Sequence, residues 1–373
     1  MMTPVGIYIH LPFCERKCAY CDFPSFPGQE QHRAAYTRAV MAEIKDRAAR
    51  VGRLGVDTIF LGGGTPSMME RGQITAILSQ VRNSFEVEPD AEITCEANPG
   101  SLGSDFLAEL RAAGVNRISI GAQSAHAEEL RLLERVHDWA QVIQAVHLAR
   151  AAGFTNINLD LMSALPHQTW DKMRATLDAA LELSPSHLSV YSLIIEEGTP
   201  FFARYERGEL PLPDEETERA IYWHTVLYLK KAGYAQYELS NFAKDNQVCR
   251  HNLNTWRYHD YLGFGASAAG LYLGTRRKNP NDLFDYLQGK APAVEVLRPA
   301  DTRFEQLMLA LRLNEGLSLD AFSRRQGICA LEVWPDAIQA HIKGGLLELT
   351  GERLRLTRLG FDLMDRALLD FLP

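Results

Sequence analysis

Val5-Gly6-Ile7-Tyr8-Ile9-His10-Leu11 is followed by Pro12-Phe13-Cys14-Glu15-Arg16-Lys17-Cys18-Ala19-Tyr20-Cys21: an apolar run opening onto a loop with three thiols. A strand whose C-terminal end leads straight into chemistry-bearing residues is the arrangement of parallel α/β folds, where active sites gather at that edge. Thiolates suit zinc or iron–sulfur clusters. Three cysteines on a short loop can hold three corners of a cubane and leave the fourth iron open. A structural zinc ion takes a fourth ligand, for which His10, Asp22 and His32 are the local candidates.

Outward from this loop the same unit repeats: apolar run, polar or glycine-rich turn, helical pattern. Strands are predicted at Val5–Leu11, Val56–Leu61, Ala91–Ala97, Asn116–Gly121, Asn156–Met162 and His187–Leu193. Helices are predicted near Gln31–Ala49, Arg71–Phe85, Ser104–Ala113, Trp139–Ala152 and Thr169–Leu183, with Gly114 and Gly153 at C-cap positions. Alternating strands and helices predict an α/β fold with a parallel sheet. Six such units fit a partial (β/α)6 barrel better than a closed eightfold one, while a doubly wound sheet stays open on periodicity alone.

The rhythm breaks after Thr199-Pro200. Asp214–Ala232 reads as a helix, Tyr234–Phe242 as a strand, and the proline-bearing Asn279–Pro299 as a linker. Thr302–Leu313, Leu319–Gln326 and Trp334–Gly344 look helical, and Leu346–Leu349 and Leu354–Thr357 flank a turn, as in a hairpin. Helices ending in a two-stranded wing predict a small winged-helix-like module. The expected division is therefore residues 1–213 as barrel, 214–295 as a mixed extension and 296–373 as the module.

With 39 basic and 47 acidic side chains among 373 residues, the net charge of −8 gives no general attraction for nucleic acid. No apolar run reaches the roughly 20 residues that span a bilayer, and no basic-then-apolar leader opens the chain. Six cysteines are too few for a disulfide scaffold at this length. These features lead us to expect a cytoplasmic protein, with peripheral membrane contact open.

Tyr8-Ile9-His10-Leu11-Pro12-Phe13-Cys14, with Cys18 and Tyr20-Cys21-Asp22-Phe23, resembles the opening of the radical-SAM coproporphyrinogen oxidase family, and the likeness runs along nearly the whole chain. The resemblance implies a radical-SAM barrel with a [4Fe–4S] cluster on Cys14, Cys18 and Cys21. It further implies that the methionine end of S-adenosyl-L-methionine chelates the open iron. Reductive cleavage of the sulfonium would then give a 5′-deoxyadenosyl radical, with a reductant protein or reduced nicotinamide as the electron source.

Several further residues take meaning beside that likeness. Gly62-Gly63-Gly64-Thr65-Pro66 follows the second strand; alone it could be only a tight turn, but glycine lets backbone approach a ligand. The family's pattern makes Gly63, Gly64 and Thr65 cofactor contacts. In Thr94-Cys95-Glu96 the two latter side chains face opposite ways. If Glu96 points into the barrel mouth, Cys95 packs against the outer helices, and the resemblance implies Glu96 as a contact. Gln123, Arg135 (in a helical stretch beyond the fourth strand) and Asp160 could each be a cap or surface charge, yet match family cofactor positions. Tyr8 matches another, while His10 on the same strand face can be a packed core residue.

Departures from the family bear on the substrate cavity. Ser163-Ala164 stands where Tyr-Gly or a similar pair is common, and Ala269 where histidine is frequent. The oxidase branch carries a fourth cysteine two residues after the third, and an N-terminal extension. Phe23 occupies that position here, and thirteen residues precede Cys14. Cys249-Arg250-His251-Asn252-Leu253-Asn254-Thr255-Trp256 resembles the HNxxYW motif of HemW-like heme chaperones, with Thr255 in place of tyrosine. That likeness implies heme as bound cargo, His251 as an axial ligand with Cys249 the weaker alternative, and a heme-accepting partner protein. Otherwise His251 is a hydrogen-bonding residue of a loop. Two other functions are weighed: oxidative decarboxylation of coproporphyrinogen III, not expected for the reasons above, and nucleic-acid binding through the winged helix, which net charge opposes.

Overall fold

The computed structural model describes residues 4–373. Strands and helices alternate as the repeat predicts. The order is β1 (Val5–Leu11), α1 (Arg33–Val51), β2 (Gly55–Gly63), α2 (Gln73–Ser84), β3 (Glu86–Ala97), α3 (Ser104–Ala112) and β4 (Arg117–Gln123). Then follow α4 (Ala127–Leu132), α5 (Trp139–Ala151), β5 (Asn156–Ser163), α6 (Trp170–Glu182) and β6 (His187–Ser192). The six strands pair in chain order, all parallel. This is the six-unit parallel arrangement expected from the sequence. Gly114 and Gly153 follow α3 and α5 at φ of 90° and 88°, the left-handed exit that lets the chain turn back into a strand.

Alternation along the strands sorts the two faces of the sheet. Ile7, Ile9, Leu61, Ile118, Leu159 and Leu188 point outward and are buried beneath the helices by Val40, Ile77, Leu107, Val142 and Leu177. Cys95 lies on this outer face, fully buried, as its neighbour relation to Glu96 predicts. The inner face is polar. Register sets Phe60 beside Thr94, Glu96 beside Ser119, Gly121 beside Asp160, and Asp160 beside Ser189. A sheet that is apolar outside and polar inside places its core between strands and helices, and leaves the barrel interior for chemistry.

The next segment comprises α7 (Pro200–Glu206), α8 (Glu215–Lys231), β7 (Ala235–Gln236), β8 (Asn241–Ala243), α9 (Arg250–Trp256), β9 (Tyr261–Phe264), β10 (Ala269–Tyr272), β11 (Thr275–Lys278), α10 (Leu283–Leu287) and β12 (Ala293–Val296). Strand β8 joins β6 antiparallel, and β9 joins β1 parallel, so one 12-stranded sheet continues across residue 213. Two expectations change here. Tyr234–Phe242 is two short strands, because the chain turns at Glu238, whose backbone bridges to Leu313. Asn279–Pro299 is not a linker: it holds α10 and the sheet-edge strand β12. Its prolines sit at element boundaries, and Pro299 occupies the first turn of the next helix, where a missing N–H costs nothing.

That helix is α11 (Pro299–Leu311), followed by β13 (Leu317–Ser318), α12 (Leu319–Gln326), α13 (Ala330–Val333), α14 (Pro335–Lys343), β14 (Leu347–Thr350) and β15 (Arg353–Leu356). The three strands form a separate antiparallel sheet, and Leu311, Phe322, Ile338, Leu354 and Phe371 build a second core. The module docks on the barrel through backbone bonds: Leu239 N–H donates to Arg312 O at 3.1 Å, and Asn314 N–H to Tyr237 O at 3.0 Å. No helix of the described residues is long and apolar enough to cross a membrane.

Candidate functional site

The loop after β1 carries Cys14, Cys18 and Cys21, and the surrounding elements hold it by its backbone. Phe26 N–H donates to Pro12 O at 2.7 Å and Thr65 N–H to Phe13 O at 2.8 Å. Ala19 N–H reaches Leu133 O at 3.3 Å, and Phe201 N–H reaches Ala19 O at 3.0 Å. His10 Nε2 lies 2.8 Å from Pro24 O, so that nitrogen carries the proton and Nδ1 accepts from Tyr8 Oη at 2.8 Å. His10 is thus a buried positioning residue of the loop.

All three thiols are half-buried and line one cavity of about 460 Å³ at the C-terminal mouth of the barrel. Thr65 Oγ1 donates to Cys14 Sγ at 3.4 Å, and the Arg135 guanidinium donates to Cys18 Sγ at 3.4 Å. Burial pushes the Cys21 thiol up to about 11 and also raises Cys14. Thiols so placed lose their protons to a bound metal rather than to solvent. Among the described residues no three His, Cys, Asp or Glu side chains gather closely enough to hold a single metal ion. A cubane needs no such gathering, because each of its irons takes one thiolate.

The cavity also collects Gly63, Gly64, Thr65, Glu96, Gln123, Arg135 and Asp160, the residues expected at the cofactor. Gly63 sits at φ 100°, and a Cβ there would lie 2.2 Å from the His10 ring and 2.8 Å from Tyr8 Oη. Its N–H donates to Glu96 Oε2 at 3.0 Å, tying the glycine segment to the next strand. Gln123 reaches the cavity because the β4–β5 register shifts between Gly121 and Gln123, which takes φ 65°. Arg135 lies in the loop between α4 and α5, not in a helix, and its Nη2 donates to Gly121 O at 3.0 Å.

Tyr8 lies directly behind Gly63, with its Oη 2.8 Å from His10 Nδ1 and 2.8 Å from where a Cβ on that glycine would stand. Burial, and then the Asp160 charge, raise the Glu96 carboxyl to about 7, and burial raises Asp160 as well. Two carboxylates in one buried cavity favour a cationic ligand that restores their charge balance. The lip above them is apolar and open: Phe23 is 60% exposed and Ile194 67%.

His251 lies apart from this cavity. It is on α9 rather than a loop, and that helix closes the opposite end of the barrel interior. The ring is 7% exposed and packs against Phe60 with centroids 5.3 Å apart. Nδ1 is 3.1 Å from Thr58 Oγ1, and burial followed by the Arg117 charge lowers the imidazole to about 4, so it is neutral. Cys249, the other candidate, is fully buried at the start of the same helix. Trp256 is stacked beneath the Arg312 guanidinium at 4.5 Å.

Sequence reasoning missed the polar residues that fill the barrel between these two places, notably Glu92, Arg117, Asn158, His187 and Tyr237. The signal was present as polar residues at alternate positions of otherwise apolar strands, but alternation alone does not separate a barrel interior from a solvated face.

The model of the Radical SAM superfamily matches residues 8–180, and that of the HemN C-terminal domain residues 297–363. A heme chaperone HemW of Mycobacterium tuberculosis is 37% identical over 372 residues, covering 97% of this chain and 93% of its own length. The heme chaperone HemW of Bacillus subtilis is 34% identical, with 95% of both chains covered. Among solved structures, the coproporphyrinogen III oxidase HemN of Escherichia coli, described as a radical SAM enzyme, superposes with a TM-score of 0.84. It is 26% identical, with 99% of this chain and 90% of that chain covered.

Proposed function

The chain belongs to the radical SAM superfamily, in the HemW-like branch of the HemN family, and from that premise we propose that it is a heme chaperone, binding heme and passing it to an acceptor protein. The observation that carries this reading is the likeness to curated heme chaperones along nearly the whole of both chains. Phe23, at the place of the oxidase branch's fourth cysteine, supports it.

The family's cofactors are a [4Fe–4S] cluster and S-adenosyl-L-methionine, and the cavity fits both. Cys14, Cys18 and Cys21 would hold the cluster, leaving one iron for the methionine end of the cofactor. Gly63, Gly64 and Thr65 would lie along that end. Glu96 and Asp160 would face the cofactor's cationic and hydroxyl groups, with Gln123 and Arg135 completing the wall. When bound, the pair supplies one-electron reductive chemistry at the sulfonium. A reductant protein or reduced nicotinamide would be the electron source. Cytoplasmic residence and peripheral membrane contact belong to the same proposal.

The Glu96 titration gives a test independent of turnover. A cation binds the ionised carboxylate better, so affinity for S-adenosyl-L-methionine should be level above about 7 and fall as the pH drops through that value. Well below it the loss approaches roughly tenfold per pH unit. Titrating the cofactor's effect on the reduced cluster's paramagnetic resonance between pH 6 and 8, where roughly these limits bracket the transition, measures this. Glu96→Gln should flatten the profile, and an equally steep profile in that variant would remove Glu96 from the site.

For the cargo, His251 offers a neutral imidazole whose Nδ1 is already held by Thr58, and a neutral imidazole is an ordinary axial donor to heme iron. Its burial means that α9 must part from the barrel before heme can reach it. His251→Ala should weaken heme binding about tenfold or more and shift the heme absorption band, since a lost axial bond exceeds about 1.4 kcal/mol. The cluster should be unaffected. The deciding experiment is anaerobic reconstitution followed by parallel heme-binding and coproporphyrinogen-turnover assays. Protoporphyrinogen production without heme binding would replace this reading by the oxidase one, which the HemN superposition otherwise favours.

A further inference from the structure

A continuous series of hydrogen bonds crosses the barrel interior from the cofactor cavity to α9. Ser119 Oγ donates to Asp160 Oδ2 at 2.9 Å. Asn158 Nδ2 donates to Asp160 Oδ1 at 2.8 Å and to Ser119 Oγ at 2.7 Å, which fixes its amide orientation. Asn158 Oδ1 is then an acceptor, and His187 Nδ1, 2.6 Å away, must carry the proton. His187 is fully buried and kept neutral by burial and then by the Arg117 charge. Its Nε2 therefore accepts from Tyr237 Oη at 2.8 Å. Tyr237 Oη in turn accepts from Cys249 N–H, at 3.2 Å, at the N-cap of α9. Every proton in the series is donated toward Asp160, so the bonds polarise one another in a single sense.

A second contact holds the same helix turn. Glu92, on the inner face of β3, accepts from Arg250 N–H at 2.9 Å and His251 N–H at 3.0 Å. Arg117 is 2% exposed, with its Nε lacking a partner among the described residues. Although burial opposes its charge, the nearby Glu92 and Asp160 carboxylates hold the guanidinium above its ordinary value. One buried cation thus interacts with the carboxylate of the cofactor cavity and with the carboxylate that seats α9.

We propose that this series couples the two ends of the barrel: S-adenosyl-L-methionine engaging Asp160 loosens the seat of α9 and frees His251, with His187 and Tyr237 as the positioning residues. The proposal rests on the reading of Asp160 as a cofactor contact and of His251 as the heme ligand. A donor from the cofactor shares the carboxylate that terminates the series and so weakens the bonds that lead back to Cys249. It also competes with Arg117 for that carboxylate, leaving the guanidinium to pull harder on Glu92 and away from the helix N–H groups. The coupling lies in the differential contacts of Asp160, which is the form allostery takes when a ligand has two states to choose between.

The test uses the full chain with its cluster reconstituted anaerobically, and reads amide hydrogen exchange of residues 250–256 with and without saturating S-adenosyl-L-methionine. No heme is present, so the outcome is independent of whether the chain is a heme chaperone. The cofactor should speed exchange in this segment about fivefold or more, within the usual range of coupling between sites. Tyr237→Phe, which removes one hydroxyl outside the cofactor cavity, should still bind the cofactor yet lose this response. Unchanged or slowed exchange in the unaltered protein overturns the proposal, as does a response in Tyr237→Phe equal to that of the parent. A separate heme titration that shows no binding, beside a positive exchange response, would overturn the chaperone reading and leave the coupling standing.

Discussion

Replacing Cys14, Cys18 and Cys21 by alanine is expected to leave the reconstituted protein with less than one iron per chain, where the parent takes up about four for one cubane. The expectation follows from position. These are the three thiols that line the cavity, and two already receive hydrogen bonds, from Thr65 and Arg135, that would compensate thiolate charge. No other cysteine can substitute. Cys95 faces the helices on the outer side of β3, and Cys249 lies at the far end of the barrel. Cys329 caps α13 in the C-terminal module. Alanine at those three sites should leave iron and sulfide content and the reduced-cluster resonance intact. Full iron content in the triple variant of the loop would refute the assignment, and zinc without iron in the parent would return the loop to a structural metal site.

Nearly as large an effect is expected at Gly64. A Cβ built there would stand 2.6 Å from Leu11 O and 2.8 Å from the Pro12 carbonyl carbon. These are backbone atoms, so no side-chain rotation relieves the contact. The same glycine donates its N–H to Leu11 O at 3.0 Å, and Thr65 N–H donates to Phe13 O. The segment and the start of the cysteine loop are therefore one hydrogen-bonded unit. Gly64→Ala must push them apart, a strain of about 1–3 kcal/mol by analogy with overpacked cores. That displacement moves Cys14 and Thr65 together. We expect S-adenosyl-L-methionine to lose its effect on the cluster resonance, with weakened cluster retention, while circular dichroism shows a folded barrel. Gly72, where nothing lies within 4 Å of a built Cβ but φ is 84°, provides a control for backbone strain alone. Cofactor binding by Gly64→Ala at the parent's affinity would show that this close approach has no part in the site.

Much of the barrel was legible because its signal is local. Each parallel strand is an apolar run followed by a turn, and the predicted strands overlap the observed ones. The cysteine loop was legible for the same reason, since its three thiols lie within one loop. The extension after α8 was harder to read. Strands such as β7 and β8 have two and three residues, too short for any alternation to show, and their pairing partners are distant in the chain. Prolines misled at Asn279–Pro299, where they mark ends of elements rather than absence of structure. His251 shows the other limit. A motif gives residue types in order, but whether a side chain faces a ligand or a strand depends on how its helix docks. Glu92 and Thr58, which seat this one, lie more than one hundred and fifty residues earlier.

The contacts of the cysteine loop also fix an order of events during biosynthesis. Cys14, Cys18 and Cys21 are synthesised well before Leu133 and Phe201, the residues that anchor Ala19. The loop cannot take its final shape until the chain has been made through Phe201, and the helix that closes the far end of the barrel comes later still. Early in synthesis the thiols are therefore exposed on an unfinished chain, open to oxidation or to stray metal. Iron and sulfide reaching the finished loop would enter through the open mouth between Phe23 and Ile194.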